Sequence, residues 1–157
     1  MTDQLSLSQI ANLCDKYHPD TNISDVVGQW LETTHPPHPW PHHSVLARLP
    51  ALSDVITTNW DKRIEAAFEQ AERPLSRVLN GSHLRPTAPS TTRLIKVHGS
   101  YDVDNKSWES KCRITDSDIA GLAVDDPKQF RYIETLFLTR CIIVVGLRPD
   151  DPIIRQL

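Results

Sequence analysis

A chain of 157 residues is long enough for one domain with a single packed core, and 39% hydrophobic against 24% charged residues excludes wholesale disorder, collagen-like repeats and low-complexity fibres. Seventeen basic against 20 acidic residues leave a net charge of −3 with no basic run, which argues against nucleic acid or an anionic membrane surface as a partner. The longest apolar stretch, around residues 142–145, falls far short of the roughly 20 residues of a helical membrane span.

The opening MTDQLSLSQ has neither the basic start nor the apolar run of a secretory signal, so a cytoplasmic protein is expected. Cys14, Cys112 and Cys141 are odd in number and form no CxxC pair, which speaks against a disulfide framework and a structural zinc site and for reduced, buried thiols.

In chain order, Ser6 and Gln9 have capping-box spacing, and Leu7, Ile10, Leu13 and Tyr17 recur with helical period, predicting a helix over 6–17. A second helix begins near Ser24 as its cap, carries Val26, Val27, Trp30 and Leu31 on one stripe, and stops by Thr34. Four prolines within 35–41 predict a rigid connector, and residues 44–49 a short helix closed by Pro50.

The period then changes. Val55, Ile56, Thr57 and Thr58 form a β-branched run that reads as a strand covered on both faces. Trp60, Ile64, Phe68 and Ala71 follow on one side of a helix ending before Pro74, which makes Trp60 a core residue. Residues 82–92 read as a connecting loop, 94–97 as a second strand, 102–111 as a solvated loop carrying Trp108, and 141–145 as a third strand. Thr115 with Asp118 marks a short helix start, and Asp126-Pro127 opens a longer helix carrying Phe130, Ile133, Phe137 and Leu138.

Strands separated by helix-length spacers imply an α/β fold: a three-layer domain with a mainly parallel sheet. Ligands of such sheets bind beyond the carboxyl ends of the strands. That rule selects three segments, Thr57 to Asp61, His98 to Ser100, and Gly146 to Asp151. Asn59 and Asp61 suit either a cleft or the capping of a helix start. A histidine such as His98 suits a general base near neutrality or a structural hydrogen bond. Gly146 permits close ligand approach, and Asp151-Pro152 reads equally as a sugar-hydroxyl acceptor or a helix start. The cluster His35, His38, His42 and His43 lies among prolines without cysteine or carboxylate, so no metal site is assigned to it.

TTNWD, VHGS and VVGLRPDDPIIRQL, in that order and at those strand ends, resemble the motifs of the bacterial sirtuin-like family, the NAD-consuming branch often found in antiphage defence. The resemblance runs from about Pro41 to Leu157. It implies a Rossmann-like domain that cleaves the nicotinamide–ribose bond of NAD without a metal. Carried onto this chain, it makes Asn59 and His98 catalytic: Asn59 holds the ribose and the attacking water, and His98 is the general base. Asp61 supports the loop, Thr57 and Thr58 lie beneath the site, Gly99 binds the cofactor by permitting its close approach, and Gly146 and Asp151 approach the adenosine half.

The family's first strand and its GAG-x-S turn have no counterpart before Asn59, and none of the five glycines falls close enough to another to make one. The expectation is therefore a single partial domain over 1–157, lacking the first glycine-turn strand. It has a helical lead-in over 1–50, which includes the Pro/His-rich connector 35–43, and an α/β core over 51–157. NAD glycohydrolase is the expected activity; the alternative is a catalytically inactive binding or assembly module that contacts a further copy of the chain or a larger defence protein. A protein deacylase is a weaker fit, because the paired cysteines of the usual zinc-bearing small domain are absent.

Overall fold

The computed structural model describes residues 7–34 and 38–146. In chain order its elements are α1 (Leu7–Tyr17), α2 (Ile23–Thr34), α3 (Pro41–Ala47), β1 (Asp54–Thr57), α4 (Arg63–Gln70), β2 (Leu75–Val78), a 3-10 turn (Gly81–His83), β3 (Thr92–Lys96), β4 (Tyr101–Asp102), β5 (Ser107–Trp108), α5 (Asp116–Ala120), α6 (Leu122–Asp125) and α7 (Pro127–Thr139). They fall into two compact units, one spanning 22–112 and the other made of 1–21 with 113–157.

The 22–112 unit is a mixed α/β structure around a parallel sheet of order β1-β3-β2, as the sequence predicts. Asp54 pairs with Arg93 and Thr57 with Lys96 on one side of β3, and Leu75 with Thr92 and Val78 with Ile95 on the other. As the central strand β3 is closed on both faces, which is why Leu94, Ile95 and Val97 are all fully buried. Val55, Ile64, Ala67, Phe68, Leu94 and Ala47 form one core, with Leu46, Leu52, Ala71 and Leu75 packed against it. Arg73 fastens its rim: the guanidinium donates to the Ala47 carbonyl at 2.8 Å, the Leu49 carbonyl at 2.5 Å and the Thr92 hydroxyl at 3.2 Å.

Several local expectations are corrected. Residues 75–78, unassigned in the sequence reading, form β2; after Pro74 the alternation Leu-Ser-Arg-Val is too short to declare itself without its partner strand. The charged stretch 102–111 is not all solvated loop, since Tyr101 and Asp102 pair antiparallel with Trp108 and Ser107, and the Trp108 indole donates to the Ser24 carbonyl at 3.1 Å. The short helix begins at Pro41 and ends at Ala47, because a proline in the first turn has no amide left to satisfy. Asn22, not Ser24, caps α2, its side-chain oxygen accepting from the Ser24 amide at 3.2 Å.

The second unit is helical among its described residues. α5 opens on the expected capping box, the Thr115 hydroxyl accepting from the Asp118 amide at 3.1 Å while the Asp118 carboxylate accepts from the Thr115 amide at 3.3 Å. α7 opens on Asp126-Pro127, the Asp126 carboxylate accepting from the Gln129 amide at 3.1 Å. Ala11, Ile114, Ile119, Leu122, Ile133 and Leu136 are its buried apolar residues.

The strand expected at 141–145 does not form. Ile143 and Val145 are 81% and 82% exposed, and the segment pairs with no strand among the described residues. β-branched composition supplies propensity, but a strand exists only where a neighbour completes its ladder. The thiols also differ from expectation: Cys14 and Cys112 are half-buried and Cys141 is exposed. No helix among the described residues is long and apolar enough to cross a membrane.

Candidate functional site

The loops after β1 and β3 leave adjacent parallel strands at equal height. Thr57 pairs with Lys96, and the Val97 amide extends the ladder by donating to the Thr57 carbonyl at 3.1 Å. Asn59 and His98 each lie two residues beyond that pair, past the ends of strands that run about 4.8 Å apart. The loops are also tied directly, because the Trp60 indole donates to the His98 carbonyl at 2.9 Å. Trp60 thus precedes α4 rather than lying on its apolar stripe, and it is half-buried, edge-on to Trp108 with ring centroids 6.2 Å apart.

Asn59 is exposed, and its backbone amide donates to the Thr57 hydroxyl at 3.1 Å, which fixes the turn. Thr58 is half-buried beside it. Asp61 serves the start of α4, where its side chain accepts from the Arg63 amide at 3.0 Å. His98 is buried at 8% exposure and is followed by Gly99, whose φ of +102° an L side chain rarely adopts. A β-carbon on Gly99 would stand 2.6 Å from the Lys111 carbonyl oxygen, so glycine here answers both backbone angle and space.

Beneath these loops lies a charged network that the sequence reading did not single out. Lys96 is fully buried; its ammonium donates to the carbonyls of Trp60, at 3.2 Å, and of Asp61, and pairs with Glu65 at 3.3 Å. Glu65 also faces Arg77, which pairs with Glu109; Lys62 joins Glu109 at 3.3 Å to Asp102 at 2.8 Å. Glu109 in turn accepts from the Ser100 hydroxyl at 2.9 Å, two residues past His98. The available signal was a lysine inside the apolar run Leu94-Ile95-Lys96-Val97, where a cation must find buried partners.

Burial lowers the Lys96 ammonium below its ordinary range, against the opposing pull of Glu65. For Glu109 burial pushes upward, but the Ser100 hydroxyl and the Arg77 guanidinium outweigh it and hold the carboxyl below its usual range. The hydrogen bond from Lys62, followed by those from Asn105, draws Asp102 well down. Asp102 and Glu109 are therefore held in the ionised form opposite Lys62 and Arg77.

Of the residues assigned to NAD, the 22–112 unit brings together Thr57, Thr58, Asn59, Asp61, His98 and Gly99. Gly146 lies in the other unit, exposed and with φ +72°, and Asp151 lies outside the described residues. At the histidine-rich connector, the His43 ring nitrogen Nδ1 accepts from the Trp40 amide at 3.1 Å, so it serves α3. Burial, with His42 and Arg63 nearby, lowers its pKa. No group of three or more His, Cys, Asp or Glu side chains among the described residues could hold a metal ion.

A family model described as SIR2-like domain matches residues 53–157, about two thirds of the chain. No curated protein matches the sequence.

Proposed function

The chain belongs to the SIR2-like family, a sirtuin-like and NAD-related class of domain, and on that premise we propose that it hydrolyses the nicotinamide–ribose bond of NAD. The observation that supports this reading is the convergence of Asn59 and His98 on one rim, joined by the Trp60–His98 bond and carried by strands in fixed register. The residues present fit the nicotinamide–ribose half of the molecule: an exposed side-chain amide, a buried imidazole on the neighbouring loop and a glycine that lets the backbone come close.

Chemically the step asks for little beyond placement. As the C1′–N bond breaks, its electron pair neutralises the positive nicotinamide ring, and the ribose carbon gathers oxocarbenium character. Asn59 orients the ribose hydroxyls and the incoming water. Water oxygen bonds to C1′ and its proton passes to His98, then to solvent. Fixed dipoles at a partly dry rim stabilise that charge better than mobile water does. The setting we assign is the antiphage defence that the resemblance implies.

A second reading, an inactive binding module, is favoured by the lack of a glycine-rich phosphate turn among the five glycines. One experiment separates the two: nicotinamide release from NAD by the purified chain, by Asn59→Ala and by His98→Ala, with calorimetric NAD binding in parallel. Loss of a general base costs about 10²–10⁴-fold and loss of substrate positioning about 10²-fold, so both variants should fall about a hundredfold or more while still folding. Equal rates in all three refute the roles, and NAD binding without turnover by the unaltered chain establishes the second reading.

A further inference from the structure

Beyond the carboxyl end of β2, on the far side of β3 from Asn59, an open cavity of about 370 Å³ is lined by Arg77, Leu79, His83, Arg85 and Glu109. We propose that this cavity binds the phosphoryl group of a small ligand, with Arg85 and His83 as its donors.

Charge decides the class of ligand. Arg77 and Glu109 belong to the network already described, in which Lys62, Arg77 and Lys96 face Glu65, Asp102 and Glu109, three cations against three carboxylates. That network is balanced, so the Glu109 carboxylate at the cavity wall is neutralised by its own partners. Arg85 stands outside it: it is exposed and makes no ion pair among the described residues, so its charge is the surplus of the cavity.

His83 adds a fixed donor. Its Nδ1 accepts from the Leu79 amide at 3.3 Å, so the proton of the neutral ring sits on Nε2. The turn that carries it is held by Asn80, whose side chain accepts from the Ser82 amide at 3.0 Å. A guanidinium fork and an imidazole N–H on a short anchored segment, with Leu79 as an apolar wall, match an oxyanion with several acceptor oxygens. The volume lies near the lower end of small-ligand sites, roughly 300–1,000 Å³. Glu109 also reaches the Ser100 hydroxyl, so the cavity adjoins the rim that holds His98. The inference stands on the cavity alone and does not require NAD cleavage.

The test is a titration of the full-length, isotope-labelled chain with inorganic phosphate, followed by NMR at the His83 ring and the Leu79 amide. Saturable shifts are expected that sodium chloride at equal ionic strength does not produce. Arg85→Ala, an exposed change that leaves the core intact, should weaken the response about tenfold, and Arg85→Glu should abolish it. Repeating the titration with saturating NAD identifies the source: loss of the phosphate response means the cavity takes the dinucleotide's own phosphates, and persistence means a separate phosphorylated ligand. Shifts that chloride reproduces, or that Arg85→Ala leaves unchanged, overturn the proposal.

Discussion

Replacing Lys96 by methionine keeps the length of the side chain and its packing while removing the ammonium. Three acceptors then lose their donor: the Trp60 and Asp61 carbonyls and one Glu65 oxygen. Both carbonyls belong to half-buried residues, so each orphaned acceptor should cost near the lower end of the usual range, about 1 kcal/mol. Glu65 keeps Arg77 at 3.7 Å, a looser partner, so its share is smaller than the 3–5 kcal/mol typical of a fully broken buried pair, about 1–2 kcal/mol. Lys96→Met should therefore lose about 3–4 kcal/mol in urea unfolding. Adding Glu65→Gln in that background should return about 1–2 kcal/mol, because a neutral amide no longer seeks a cation. The pH dependence has a definite sign. Burial lowers the folded ammonium, so the unfolded chain binds more protons just below the ordinary lysine range, and stability rises with pH across that window. Lys96→Met should lack that rise. A variant within about 0.5 kcal/mol of the parent, or a double variant worse than the single one, would refute the account of a cation retained to hold the Asn59 loop.

Gly99→Ala forces a side chain onto a φ of +102° and a β-carbon to within 2.6 Å of the Lys111 carbonyl oxygen. A loss of about 3 kcal/mol or more is expected by urea unfolding, and a loss below about 1 kcal/mol would show that the turn relaxes freely. The Tyr101 hydroxyl is pushed up to about 12, first by burial and then by its hydrogen bond to Glu32, so ultraviolet titration should show its ionisation displaced upward from the ordinary tyrosine range. Because the folded value is raised, the native state keeps the proton longer, and stability should fall as pH climbs from about 10 towards 12. Glu32→Gln should bring the midpoint part of the way back; an unchanged midpoint would remove Glu32 from the explanation.

What could be read from the sequence divides along the reach of the interactions involved. Val55 to Thr57 and Leu94 to Lys96 are dense in β-branched and apolar residues, and their strand character shows locally. The helix starts at Thr115 and Asp126 show because a cap and its amide lie three residues apart. β2 did not show, since Leu75-Ser76-Arg77-Val78 becomes a strand only by lying against Thr92 to Ile95. The run 141–145 misled for the opposite reason, having strong propensity and no ladder to join among the described residues. The places of Asn59 and His98 just past β1 and β3 were legible from the strand runs before them, whereas the ion pairs around Lys96 join residues 31 positions apart in the chain, beyond any local pattern.

The way this rim is held follows from its poverty in glycine. A turn rich in glycine can present bare amides to a ligand and shape itself from backbone alone. Here side chains perform that task. The Thr57 hydroxyl fixes the Asn59 amide, the Lys96 ammonium gathers the Trp60 and Asp61 carbonyls, the Trp60 indole clasps the His98 carbonyl, and Glu109 restrains Ser100. Each anchor rests on a strand or on a neighbour in the ion-pair network, so the geometry of Asn59 relative to His98 depends on groups that touch no substrate. Such anchoring costs no reorganisation when charge develops. If the chain cleaves NAD as proposed, damage to Lys96 or Trp60 should lower turnover more than it weakens NAD binding, whereas damage at Arg85 should leave the rim intact.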